Sequence, residues 1–259
     1  MKTQVRKIVV RATQEMKKEL LYSIFSSRPR KILFDHLPKC AGSSLNVYLE
    51  AHYPRRKTFS TNGLNPTASV DDFKNLSQRR RLGYDLVKGH LAHKLLDYVH
   101  PECLKITVLR EPVERIISHY YYARRTPVNY LYSKIHSSKM SLEDYATSGL
   151  SSELRNWYTT HFSGLTADDA ERTPEEAITK AFDVVLKRYD IIGFLDDFSS
   201  FAEALRTQAD LRYEYQNKKV NVTQNRPSTN DVAQSVIIKI QQVNHLDIAL
   251  YKKIRDAIG

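Results

Sequence analysis

The feature that most constrains the fold is a repeated pattern in which a short apolar segment runs directly into a helical pattern. The first apolar segment is residues 31–35, and a helix is expected from Ser43 to about Tyr53. Further candidate strands lie at residues 84–88, 106–109 and 189–194. Strands that alternate with helices pair in parallel through βαβ units. The sequence therefore predicts a single α/β domain over residues 1–259, a doubly wound parallel sheet with helices on both faces.

Helices are expected after the later strands as well, and two segments fall outside this alternation. The helical patterns begin at Pro112 and cover residues 174–187, residues 197–209 and the C-terminal residues from 246 onward. Within residues 1–28, apolar side chains at helical spacing over residues 4–24 predict an amphipathic helix, for which we favour core packing over a partner or a membrane surface. Residues 54–82 are polar and turn-rich, which predicts a long basic loop region with one short helix near residues 69–77.

The net charge of +11 is concentrated in the N-terminal third of the chain. Residues 1–31 carry nine Lys and Arg against two Glu, and residues 52–94 carry nine against three Asp. Such a field attracts an anionic partner, for example a nucleic acid, a phosphate, a sulfate or a polyanion. A solvated basic surface without a partner explains the charge equally well.

Composition excludes several other classes of protein. The two cysteines, Cys40 and Cys103, are too few for a disulfide framework or a four-thiolate metal site. The apolar run at residues 8–10 is too short for a signal peptide, and no run approaches the 18 residues of a membrane span. We therefore expect a soluble, cytoplasmic protein without a transmembrane segment.

An anion-binding loop is predicted between the first strand and the first helix. Backbone N–H groups at a helix N-terminus and the helix dipole favour negative charge there. Gly42 permits close approach of the backbone, Ser43 and Ser44 add hydroxyl donors, and Lys39 supplies a point charge. The order differs from a Walker A loop, in which Lys directly follows the second Gly. An ordinary βα turn with an N-capping serine is the alternative.

The segment P-K-C-A-G-S-S-L in this loop resembles the 5′-phosphosulfate-binding loop of sulfotransferases that use 3′-phosphoadenosine 5′-phosphosulfate (PAPS). It is most similar to the branch that contains the heparan sulfate 2-O-sulfotransferases and their bacterial relatives. The resemblance implies donor contacts from Pro38, Lys39, Cys40, Ala41, Gly42, Ser43 and Ser44. Cys40 stands where Thr is commoner, and no nucleophilic role is expected for it because the family transfers the sulfuryl group directly.

A second motif, L-R-E-P-V-E-R-I-I-S, also follows a candidate strand and opens a helix. Arg110 ends the strand, and Ser118 lies two turns into the helix; Arg can fork onto a phosphate to which Ser also donates. The motif is similar to the 3′-phosphate motif of the same family, which implies that these two residues hold the 3′-phosphate of PAPS. A helix with Glu111 and Glu114 in its favoured acidic first turn is the alternative. Two motifs in this order and context favour the sulfotransferase.

Weaker likenesses extend the resemblance to about residues 32–255. Gly89-His90 resembles a family segment that ends in Gly-His after a strand, and residues 190–194 resemble the late strand. Thr223 lies in a segment that resembles a loop closing over the nucleotide. Residues 247–251 fit the terminal helix.

Sulfuryl transfer needs stabilisation of the leaving charge and removal of a proton from the acceptor. We assign the first role to Lys39 and the second to His90, because imidazole titrates near neutral pH and the family has a base at the matching Gly-His. His36, His93 and His119 are competing histidines. A His-x-x-His pair suggests metal only weakly, since a third ligand is not evident, and no metal is expected.

The expected reaction transfers a sulfuryl group from PAPS to an acceptor hydroxyl and releases adenosine 3′,5′-bisphosphate. The preferred acceptor is a carbohydrate, and the basic segments would suit an anionic one. The alternatives are a small metabolite or natural product sulfated on oxygen or nitrogen, and a peptide tyrosine. A kinase is disfavoured by the position of the lysine. A non-enzymatic nucleotide or nucleic-acid binder is disfavoured because no recognised nucleic-acid-binding motif is present.

Overall fold

A computed structural model describes residues 13–20, 22, 28–216 and 229–258. The chain divides into two compact units. The first unit is Met1–Val108 with Asp190–Asn221, and the second is Leu109–Tyr189 with Val222–Gly259. That the whole chain forms one domain stays a prediction.

The first unit is built on a single five-stranded parallel sheet flanked by helices, as the sequence predicts. The strands are β1 (Ile32–Asp35), β2 (Thr58–Ser60), β3 (Leu86–Gly89), β4 (Leu104–Leu109) and β5 (Ile191–Phe194). Their order in the sheet is β2-β3-β1-β4-β5, so β1 lies at the centre. Asp35, at the end of β1, is in register with Gly89 on β3 and with Thr107 on β4.

The helices of the first unit alternate with these strands. They are α1 (described over residues 13–20), α2 (Gly42–Glu50), α3 (Pro66–Asn75), α4 (Gln78–Leu82) and α11 (Phe198–Gln208). Apolar side chains of β1, β3, β4, α2 and α11 form its core, which includes Ile32, Leu45, Leu86, Ile106 and Leu205. These strands are predominantly apolar because a parallel sheet is buried on both faces.

The short helix predicted near residues 69–77 is confirmed as α3, whereas the rest of the predicted loop over residues 54–82 is wrong, because it also holds the edge strand β2 and the helix α4. Asn65 accepts a hydrogen bond from the Ala68 backbone N–H, 3.1 Å, and Pro66 follows at the first position of α3. The rings of Phe59, Phe73 and Tyr84 pack with centroid distances of 4.7–5.8 Å. This aromatic cluster attaches the polar stretch to the sheet.

The N-terminal helix is confirmed over its described residues, and Tyr22 packs into the core of the first unit, whereas Met16 and Leu20 do not. Met16 and Leu20 are 72% and 58% exposed. Polar contacts join α1 to its neighbours instead: Lys18 Nζ donates to the Glu50 carbonyl, 3.0 Å, and Glu15 accepts from the Arg55 backbone N–H, 2.7 Å. Residues 1–12 and 23–27 of the predicted helical segment lie outside the described residues.

The second unit contains helices in its described part. They are α5 (Pro112–Arg125), α6 (Tyr132–Ser137), α7 (Leu142–Thr147), α8 (Trp157–Ser163), α9 (Ala167–Arg172), α10 (Pro174–Arg188), α12 (Gln234–Val243) and α13 (His245–Ile258). The helices predicted from Pro112, over residues 174–187 and at the C-terminus are confirmed. Apolar side chains of α5, α7 and α12 form the larger core, which includes Ile116, Ile117, Tyr145 and Ile240.

Candidate active site

The loop between β1 and α2 contains two non-glycine residues in the left-handed backbone region. Lys39 has φ +66° and Ala41, which is the N-cap of α2, has φ +58°. Such conformations are uncommon for residues with a Cβ and concentrate at functional sites. The N-terminus of α2, which lies within the described residues, has no side-chain cap and no acidic residue in its first turn. The positive end of its dipole is therefore not neutralised by a carboxylate from its own first turn.

Gly42, the first residue of α2, is required by the imidazole of His36. A Cβ at Gly42 would lie 1.7 Å from Nε2 of His36. The same imidazole stacks on Phe34 at 5.5 Å and on His90 at 4.4 Å between ring centroids. His36 thus fills the space between the start of α2 and His90, where a side chain on residue 42 would collide with it.

His90 follows β3 and is held in one tautomer. Its Nδ1 lies 2.8 Å from the carbonyl oxygen of His36. Because a carbonyl only accepts hydrogen bonds, Nδ1 carries the proton, and the neutral ring has its lone pair at Nε2. Thr61 Oγ1 donates to the His90 carbonyl at 2.9 Å, which fixes the backbone as well. Among the described residues, Nε2 of His90 has no hydrogen-bond partner.

The two neighbouring histidines, His36 and His93, differ from His90 in their surroundings. Burial, together with the positive charge of Lys88, lowers the pKa of His36 to about 3. His93 is committed to the buried Asp35, whose carboxylate accepts its backbone N–H at 3.2 Å and lies 3.8 Å from its Nδ1. That His90 acts as the base stays a prediction.

The helix α5, which follows β4, begins differently from α2. Glu111 caps α5, accepting from the backbone N–H groups of Val113 at 3.1 Å and Glu114 at 2.7 Å, with Pro112 at the first helical position. Burial raises the pKa of Glu111. Arg110, directly after β4, pairs through Nη2 with Glu114 Oε2 at 2.8 Å. The carboxylate of Glu111 therefore accepts two of the backbone N–H groups that lack a partner within the helix at the start of α5.

The other predicted residue of this motif, Ser118, lies within α5 and is 5% exposed. Its neighbour His119 is fully engaged, with Nδ1 2.6 Å from the Tyr145 hydroxyl and Nε2 2.6 Å from Glu153 Oε2. His119 is thereby disfavoured as a base. Thr223, the predicted nucleotide contact, lies outside the described residues.

Sequence reasoning missed Tyr158, a buried tyrosine on α8. Its hydroxyl bonds to both the backbone N–H and the carbonyl of Arg110, at 3.1 and 3.0 Å. The two residues are 48 positions apart, and no local sequence pattern or spacing predicts their contact. The role of Thr61 in holding His90 is equally non-local.

The basic runs at residues 55–57 and 79–81 divide into structural and exposed members. Arg56 pairs with Glu19, Lys57 Nζ donates to the Gly83 carbonyl at 3.0 Å, and Arg81 Nη1 donates to the carbonyls of Lys74 and Leu76. Arg55, Arg56, Arg79 and Arg80 are exposed. Part of the charge expected to attract an anion therefore supports the fold.

Comparison with known proteins agrees with the parallel α/β sheet. The sequence model of the sulfotransferase family matches residues 22–253, and the chain belongs to that family. It is accordingly a transferase of the sulfuryl-transfer class. A search of curated proteins finds no match. Among the described helices, none is both long and apolar enough to cross a membrane.

Proposed function

We propose that this sulfotransferase takes its sulfuryl group from PAPS and transfers it directly to a hydroxyl of a carbohydrate acceptor. The observation that carries the proposal is the start of α2, where a left-handed turn at Lys39 and Ala41 leads into a helix with no acidic residue in its first turn. Such an N-terminus suits a dianionic phosphosulfate, because backbone N–H groups and the dipole both favour negative charge.

Residues 38–44 bind the 5′-phosphosulfate in this proposal. Gly42 admits the anion close to the backbone, the hydroxyls of Ser43 and Ser44 donate to its oxygens, and Lys39 neutralises charge that builds up on the leaving phosphate. The positive φ of Lys39 supports the assignment, since such a backbone is kept where it serves a site.

Arg110 and Ser118 bind the 3′-phosphate. The N-terminus of α5 is already capped by Glu111, so recognition of an anion there falls to side chains rather than to the helix end. An arginine can present two parallel N–H donors to a phosphate, and the guanidinium of Arg110 is oriented by Glu114.

His90 removes the acceptor proton. The acceptor oxygen forms a bond to sulfur while the bond from sulfur to the phosphate oxygen breaks, and the hydroxyl proton passes to Nε2 of His90. The products are the sulfate ester, adenosine 3′,5′-bisphosphate and a protonated imidazole, which returns its proton to water. The hydrogen bond from Nδ1 to the His36 carbonyl persists throughout and stabilises the imidazolium.

A carbohydrate acceptor is supported by the likeness of the donor loop to the branch that sulfates heparan sulfate. The exposed Arg55, Arg79 and Arg80 would attract such an acceptor if it is anionic. A screen with ³⁵S-labelled PAPS against glycans, small phenols, amines and tyrosine peptides tests the assignment. Labelling of glycans supports it, and exclusive labelling of another class shows that the acceptor is wrong while the donor is right.

Donor use is tested separately by calorimetric titration with adenosine 3′,5′-bisphosphate and adenosine 5′-phosphate. We expect the bisphosphate to bind more tightly, and Arg110→Ala to remove most of that difference. His90→Ala should abolish most turnover with little change in bisphosphate affinity, whereas the matched variant His93→Ala should retain turnover. Equal binding of the two nucleotides would show that the 3′-phosphate is not read.

A further inference from the structure

We propose that Tyr158 is the positioning residue that fixes Arg110 for the 3′-phosphate, an inference that rests on the proposed use of PAPS. The Tyr158 hydroxyl accepts from the Arg110 backbone N–H at 3.1 Å and donates to the Arg110 carbonyl at 3.0 Å. One hydroxyl therefore satisfies both backbone groups of the residue at which β4 gives way to α5. Tyr158 is 1% exposed, so its ring has little freedom to move.

Tyr158 is in turn held by Asp247 of α13. The carboxylate accepts from the backbone N–H groups of Tyr158 and Thr159 at 3.0 and 2.9 Å, and from Thr159 Oγ1 at 3.0 Å. Asn156, which precedes α8, has a left-handed backbone and contributes no side-chain cap. The N-terminus of α8 is thus capped from a distant helix, and the position of Tyr158 depends on α13.

Arg115 contacts both Tyr158 and Asp247. Its fully buried guanidinium lies 5.0 Å from the centroid of the Tyr158 ring, and Nη2 is 3.7 Å from Asp247 Oδ2. A charge with this burial is tolerated when it is paired, and here it neutralises the buried carboxylate. Arg115 also lies three residues before Ser118 on α5, which places both side chains on one side of that helix.

These contacts form a chain from Asp247 through Tyr158 to the backbone of Arg110. Without the hydroxyl, the N–H and carbonyl of Arg110 would lose their partner, and the turn would gain alternative conformations. The guanidinium would then be misdirected in a fraction of molecules. Because binding competence scales with that fraction, nucleotide affinity should fall selectively for ligands that carry the 3′-phosphate.

The test compares Tyr158→Phe with Tyr120→Phe, a matched variant of the same unit whose buried ring directs its hydroxyl to the Met140 carbonyl at 2.8 Å. Dissociation constants for adenosine 3′,5′-bisphosphate and adenosine 5′-phosphate are measured by calorimetry. We expect Tyr158→Phe to weaken bisphosphate binding about tenfold, the equivalent of one to two net hydrogen bonds, with the monophosphate changed less than twofold. Tyr120→Phe should change neither constant.

Arg110→Ala serves as the reference that separates this inference from the proposed function. If Arg110→Ala is selective for the bisphosphate but Tyr158→Phe weakens both nucleotides equally or neither, the positioning role is overturned and the donor assignment stands. If Arg110→Ala is not selective, the 3′-phosphate assignment is wrong and the inference falls with it.

A second variant keeps the test decisive if Tyr158→Phe does not fold. Thr159→Val removes one hydrogen bond to Asp247 and leaves the Tyr158 hydroxyl in place. We expect a smaller selective loss of bisphosphate affinity, about twofold. An equal loss for both nucleotides, or none, overturns the chain from Asp247 to Arg110.

Discussion

The N-termini of α2 and α5 each follow a strand of the parallel sheet, yet they are electrostatically opposite. The start of α2 has a left-handed Ala41 as its N-cap and no acidic residue in its first turn. The start of α5 has a capping Glu111 and places Glu114 in its first turn. In the proposed function, one βα pattern would therefore recognise phosphate in two ways: through backbone and dipole at α2, and through side chains at α5.

The largest effect expected from this comparison is at Lys39. Lys39→Ala should lower turnover by about 10²–10³-fold, the scale seen when one donor to a developing negative charge is removed. Lys39→Gly should lose as much, although glycine suits the positive φ better, because the loss comes from the ammonium group. Steady-state rates are compared with Lys187→Ala, which removes an exposed lysine paired with Asp183. Near-normal turnover in either Lys39 variant would remove it from the mechanism.

The next largest effect is expected on protein stability, through the packing of α2 against His36. Gly42→Ala should destabilise the protein by about 1–3 kcal/mol through collision with His36, although alanine is the better helix former. The matched variant Gly63→Ala should be tolerated, since a Cβ there meets nothing within 4 Å. Urea unfolding measures both. Equal stability of the two variants would show that His36 moves aside at no cost.

Low pH should also lower the stability of the protein, through His36 next to the start of α2. The pKa of His36 is about 3 in the folded chain and near 6.5 when unfolded, so between these values the unfolded state binds the extra proton. Stability should therefore fall as the pH drops below 6.5, by about 2 kcal/mol at pH 5. Burial also lowers the pKa of His52, which contributes in the same direction.

Urea unfolding at pH 7, 6 and 5 measures this dependence. The variant His36→Gln should show a shallower loss of stability with falling pH, with His52 accounting for what is left. Parallel pH profiles for the two proteins would mean that His36 titrates normally in the folded state.

The smallest effect separates the two helix starts directly. Glu111→Ala removes a side-chain cap and should cost about 1 kcal/mol of stability. Ser43→Ala, in the first turn of α2, should change stability by less than about 0.5 kcal/mol, because no side chain caps that helix. Thermal unfolding of the two variants provides the comparison. A loss at Ser43 as large as that at Glu111 would contradict the assignment of α2 as uncapped.

The sequence predicts the parts of this structure that are local. Apolar runs identify β1, β3, β4 and β5, and Pro112 marks the first turn of α5. The strand β2 was missed because three residues carry no periodicity. The short helix expected near residues 69–77 is present as α3. Exposed Met16 and Leu20 show that helical spacing of apolar residues does not establish which surface they cover.

The candidate site follows the same division. The loop at Lys39 and the arginine at position 110 are detectable as motifs, because a strand, a turn and a helix start are contiguous in sequence. The groups that orient them are not: Thr61 reaches the backbone of His90, and Tyr158 reaches Arg110, from elements that only the tertiary fold brings near. The two motifs could thus be detected from the sequence, whereas the contacts that hold their residues could not.

The cap on α8 has a consequence for the order of events during protein synthesis. Asp247 emerges from the ribosome long after Arg110 and Tyr158, since translation proceeds from the N-terminus. A nascent chain can form β4 and α5 early, but the carboxylate that holds the start of α8 is not yet present. Nucleotide recognition at Arg110 should therefore mature late, at the step when α13 docks.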